Sequence, residues 1–118
     1  MKHVTLVLLA FSLVVVGACS GSGEASNDAS PGRTVYVQAG CGGCHGADRQ
    51  GLQTAPPLLD LGVHWDQASL SAYLQDPTTV RANNPQLQYR TEAYAAEMPA
   101  FQGTDEELAD LVNYLLAE

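Results

Sequence analysis

Positive charge is the scarcest commodity in this chain of 118 residues, which holds one lysine, Lys2, and four arginines against thirteen acidic side chains, for a formal net charge of −8. A chain so poor in cations has no electrostatic footprint for a phosphate backbone, so neither nucleic acid nor an anionic lipid surface is bound by charge. Acidity of this kind suits a partner with a basic docking patch, or simply maintains solubility, and charge alone does not choose between the two. Long apolar runs are missing too. The longest, residues 4–16, is interrupted by Thr5 and Ser12 and falls short of the roughly 20 residues of a membrane-spanning helix. Strand evidence is poor everywhere and no internal repeat is visible, so the expected class is all-α.

What is present begins with a leader. Met1-Lys2-His3 is a short positive start, followed by the apolar run, and together they have the layout of a secretory signal. Val16-Gly17-Ala18-Cys19 resembles the lipobox of bacterial lipoproteins, in which the peptide is cut before the cysteine and that residue is acylated. The alternative is an ordinary signal peptide cut near Ala18, leaving Cys19 a free thiol. The lipoprotein reading is preferred because an unpaired thiol is a liability in an exported protein. The chain then divides into a signal peptide at 1–18, an acylated Cys19 with a flexible tether to residue 31, and a folded domain at 32–118. The tether is rich in Ser, Gly, Ala, Asn and Asp, with almost nothing to bury. Cleavage removes Lys2 and Met1, leaving four arginines against thirteen acids, a net charge of −9.

Within the domain, residues 32–39 permit a strand by β-branched content, but a short helix with Tyr36 inward is preferred because of the motif that follows. Asp66 reads as the N-cap of a helix from Gln67 to about Gln75, with Trp65 and Leu70 as a hydrophobic staple and Pro77 as the stop. Residues 78–90 are polar and read as loop, and residues 91–97 as one or two helical turns. The last helix is the clearest. Thr104 and Glu107 form a capping box, and Leu108, Leu111, Val112 and Leu115 form its buried stripe.

Cys41-Gly42-Gly43-Cys44-His45 is the attachment signature of a c-type haem. Two thiols add to the two vinyl groups of one porphyrin, and the two-residue separation suits their spacing. The next residue, His45, can then donate its imidazole to the iron. Three blander readings compete. A thioredoxin-like pair needs a βαβ setting that this chain lacks. A zinc site needs four ligands, and Cys41, Cys44, His45 and His64 have no paired-histidine spacing. A disulfide across two residues adds little stability.

From Gly32 to its end the chain resembles a class I c-type cytochrome. The resemblance rests on Gly32, Tyr36 and Gly40 ahead of the haem motif, on Ala55-Pro56-Pro57-Leu58, on Met98-Pro99-Ala100-Phe101, and on Leu111-Val112-Asn113-Tyr114-Leu115 in the final helix. It implies a small fold of three to five short helices around one covalent haem c. It also implies that Met98 is the sixth iron ligand, and Met98 is the sole methionine left once Met1 is cleaved; the bland alternative is a core filler. It further implies a proline carbonyl accepting the His45 N–H, with Pro57 the best match and Pro56 the other choice, and Trp65 as a donor to a haem propionate or else a core aromatic. Arg49 and Arg81 are candidate propionate partners and Tyr94 a neighbour of Met98. His64 is the one competing ligand, read as a partly exposed histidine.

The expected function is a monohaem one-electron carrier, lipid-anchored in the cell envelope at the outer face of the cytoplasmic membrane or at a periplasm-facing membrane, and serving redox protein partners rather than acting as an enzyme. The alternatives are a gas-binding or peroxide-reducing haem protein, or a haem subunit of a larger oxidoreductase.

Overall fold

A computed structural model describes residues 30–117; the signal peptide, Cys19 and most of the tether expected from the sequence lie outside them. Six α-helices follow one another: α1 Pro31–Gln38, α2 Gly42–His45, α3 Gln67–Gln75, α4 Pro77–Ala82, α5 Pro85–Thr91 and α6 Asp105–Leu116, with a 3₁₀ turn at Leu61–Val63 between α2 and α3. The all-α class holds among the described residues, where the only extended pairing is an isolated bridge between Leu52 and Ala55.

Three of the six helices start the same way. Ser30-Pro31, Asp76-Pro77 and Asn84-Pro85 each place a capping side chain before a proline in the first turn. The cap accepts the backbone N–H of Arg33, Thr79 or Leu87, and proline supplies a helical φ where no N–H is needed. This corrects three sequence expectations. Ser30 and Pro31 belong to α1 and not to the tether. Pro77 does not merely end α3 but begins α4, with Asp76 as the closing residue of one helix and the N-cap of the next. Residues 78–90 are not loop but carry α4 and most of α5, while the turns expected at 91–97 amount to the end of α5 at Thr91. Short polar helices such as these lack the apolar stripe that announces a helix, so their start signals are all the sequence offers.

The core forms where α1 crosses α6. Tyr36 and Leu111 are essentially inaccessible and sit with Val35, Leu70, Leu74, Leu108, Val112, Tyr114 and Leu115 in one cluster. The crossing is close because Gly32 has no side chain. A Cβ there would collide with the Asp110 carbonyl oxygen and the Tyr114 Cβ. Tyr36 and Tyr114 meet edge to face with ring centroids 5.7 Å apart. Capping boxes at Asp66–Ser69 and Thr104–Glu107 fix the starts of α3 and α6. Trp65 packs against the core cluster from outside.

Gly32→Ala forces α1 and α6 apart and is expected to cost about 1–3 kcal/mol, as overpacking does, read as a lower denaturant midpoint. Acid should act on α3 and α4 first. Hydrogen bonds from Ser69 hold Asp66, and hydrogen bonds from Thr79 hold Asp76, below the ordinary carboxylate value of 3.8. Their contribution is present above that value and is lost as pH falls below it through the lowered pKa values. Amide exchange should therefore quicken in the first turns of α3 and α4 at that pH, before the turn capped by the Thr104 hydroxyl.

Candidate haem site

The haem motif is a single helical turn. Cys41 precedes α2, its carbonyl accepts the N–H groups of Cys44 and His45 at 3.2 and 3.0 Å, and α2 ends at His45. Glycines at 40, 42, 43 and 46 leave the turn without bulky side chains other than its own cysteines and His45, so the backbone can lie close to a macrocycle. Cys41 is half-buried and Cys44 exposed, both as free thiols. Burial pushes the Cys41 thiol above its ordinary pKa.

His45 is buried and its ring is fixed by the loop that follows. Its Nδ1 lies 2.7 Å from the Pro56 carbonyl oxygen. A carbonyl only accepts, so Nδ1 carries the proton and Nε2 keeps its lone pair free for a metal. The acceptor is Pro56 and not the favoured Pro57, because the chain reverses one residue earlier. Gly51, at φ +80°, donates its N–H to the His45 carbonyl at 2.7 Å and packs so tightly that a Cβ would lie 2.6 Å from the Pro57 nitrogen. Pro57 is thus held against the turn at Gly51, while the carbonyl before it points at the imidazole.

Cys41, Cys44 and His45 open onto a cleft of about 950 Å³. Thr54, Ala55 and Pro56 continue their wall, and the Thr54 hydroxyl donates to the Cys44 carbonyl at 3.2 Å. Leu74 and Leu111 bring the core to the cleft. Met98 enters from the segment between α5 and α6, with Tyr94, Pro99 and Phe101 beside it in the lining. That segment is tied to α3 where the Phe101 N–H donates to the Leu74 carbonyl at 2.8 Å. The charged lining residues are Arg81 of α4, Glu92 and Glu97, whereas the lining positions of residues 39–45 and 54–56 carry no Asp, Glu, Lys or Arg.

The structure therefore brings Cys41, Cys44, His45 and Met98 to one cavity and leaves other candidates outside its lining. Trp65 does not line the cleft. It stacks on Tyr73, with centroids 5.2 Å apart, and only Tyr73 does. His64 is exposed and away from the lining. Arg49 is committed elsewhere, donating to the carbonyls of Tyr114 and Ala117 at 2.9 and 3.2 Å and lying 4.5 Å from the Tyr114 ring centroid. Those contacts hold it in a left-handed backbone conformation, φ 62°, that a long side chain seldom adopts. Tyr73 had no signal in the sequence beyond its helical face. Burial pushes its phenol above the ordinary value, against the opposing pull of Arg81.

A zinc site finds no support. No group of three or more His, Cys, Asp or Glu side chains among the described residues is arranged to hold a metal ion. The donor set fits a haem instead: two thiols spaced for two vinyl groups, an imidazole with Nε2 free, a thioether, a roomy cleft reaching the apolar core, and one cation for a carboxylate.

Comparison with known proteins agrees. Residues 29–117 match the family described as Cytochrome c. Cytochrome c-551 of Bacillus subtilis (strain 168) is 28% identical over 86 residues, covering 64% of this chain and 75% of that protein. No solved structure matches. With three quarters of its length inside that family, and with an all-α fold built around the motif, the chain belongs to the cytochrome c family, as a class I c-type cytochrome with one covalently bound haem c.

Proposed function

We propose that this cytochrome is a one-electron carrier held at the outer face of a cytoplasmic membrane by lipid on Cys19. The observation that carries the proposal is that Met98 and His45 line the same cleft, so the protein can supply two donors to an iron held there. The haem, when bound, supplies a reversible one-electron iron couple, and a thioether ligand raises its potential. Everything else falls to the chain. Cys41 and Cys44 would hold the group by thioether bonds, and the His45 Nε2 and the Met98 sulfur would ligate the iron. Leu74, Leu111 and Phe101 exclude water, and Arg81 pairs with a carboxylate on the side away from the cysteines. Two fixed donors leave no open coordination position, which favours a carrier over a gas-binding or peroxide-reducing protein.

Location and partners follow from the sequence. The leader ending at Cys19 supports export and acylation. No helix among the described residues is long and apolar enough to cross a membrane, and an anchor of two or more acyl chains needs none. The tether of residues 19–29 lets the domain reach donor and acceptor while keeping its effective concentration near the membrane high. The surplus of acids selects a redox partner with a basic patch, so electron exchange should slow as ionic strength rises.

The ferric protein is expected to show the weak near-infrared sulfur-to-iron band. Met98→Ala should abolish the band and lower the potential; a band that persists means Met98 is not the ligand. Rapid carbon monoxide binding by the reduced wild-type protein would replace the carrier with a gas-binding protein. For the anchor, Cys19→Ala should move the protein from the membrane to the soluble fraction, and a mature N-terminus with an unmodified Cys19 by mass spectrometry would end the lipoprotein reading.

A further inference from the structure

Tyr36 is bonded to both ends of the haem turn. Its backbone carbonyl accepts the Cys41 N–H at 3.1 Å, at the start of the motif. Its hydroxyl donates to the Gly46 carbonyl at 2.7 Å, directly after His45. Between these points its ring underlies the turn, since a Cβ on Gly42 would lie 3.5 Å from the Tyr36 Cε1. The hydroxyl is a permanent donor at neutral pH, because burial pushes the phenol up to about 12. On its other flank the ring meets Tyr114 of α6. A phenylalanine would fill the core equally well, so packing does not account for the hydroxyl.

We propose that Tyr36 is the positioning residue for His45, clamping the haem turn through its hydroxyl so that the imidazole stays aligned on the Pro56 carbonyl. Beyond His45 the α2 ladder runs out, and the backbone there is held by bonds from outside the helix. The ladder holds the His45 and Gly46 N–H groups, through Cys41 and Gly42, and Gly51 holds the His45 carbonyl. The Gly46 carbonyl accepts the Arg49 N–H at 3.2 Å from within the same loop, and the shorter bond from the Tyr36 hydroxyl, at 2.7 Å, ties it to α1. A ligand fixed on both sides of its Cα keeps its Nδ1–H bond short, which raises imidazole basicity and stabilises the ferric state. The inference rests on His45 as an iron ligand, as proposed above.

Tyr36→Phe in the haem-loaded protein keeps the ring and removes the hydroxyl. The near-infrared band should remain, since Met98 is untouched. The midpoint potential should rise by the equivalent of about a three-fold change in the oxidised-to-reduced ratio, ~30 mV for a one-electron couple, and the paramagnetically shifted haem-methyl resonances should rearrange with the imidazole. A lower melting temperature with unchanged potential and methyl pattern would make the hydroxyl merely structural and overturn the proposal. Should the Phe variant fail to load haem, 3-fluorotyrosine placed at position 36 alone makes the hydroxyl a stronger donor. The potential is then expected to fall, and no change would overturn the proposal. A wild-type protein without the near-infrared band fails at the ligand set itself, and both readings fall together; a band present with an unresponsive Tyr36→Phe defeats only this one.

Discussion

The close crossing of α1 and α6 is the constraint on which the rest depends. Only the missing side chain of Gly32 lets α6 approach this near. Once there, α6 brings Leu111 to the cleft, Tyr114 to the ring of Tyr36 and the carbonyls of Tyr114 and Ala117 to Arg49. Each fully buried side chain in this cluster contributes on the order of 1.5–3 kcal/mol. The crossing therefore stabilises the fold and places apolar surface against the haem site in one step, and the short helices α4 and α5 have only to close the remaining side.

The sequence showed the chemistry of the site more fully than its framework. Cys41, Cys44 and His45 are legible because covalent attachment demands a fixed local spacing, and α6 because its cap and apolar stripe agree. Met98 stood out by being alone. The helices α4 and α5 were hidden because they bury little, Pro77 and Leu87 being their buried residues, and because an Asp-Pro or Asn-Pro pair reads as a breaker as readily as a start. The proline acceptor was misplaced by one position since neighbouring prolines look alike until the turn at Gly51 is seen. Arg49 offered no hint of its partners, which lie 65 and 68 residues away.

Charge is distributed in the cleft as the chemistry of a haem asks. Its vinyl-bearing edge is apolar and would meet the cysteine wall, which bears no charged lining residue; its carboxylates would lie toward Arg81. Arg81 is the one arginine among the cleft's lining residues, which also include the acids Glu92 and Glu97. Trp65 still bears on this region by buttressing Tyr73 from outside.

The described chain starts at Ser30, whose side chain caps α1. Two residues further on, α1 is wedged against α6 at Gly32, and one turn beyond that it carries Tyr36. Whatever tension reaches the domain from the residues ahead of Ser30 is thus delivered into the helix that grips the haem turn. Because α1 meets the α6 backbone at Gly32 before it reaches the haem turn at Tyr36, a displacement of its first turn is met by α6 first.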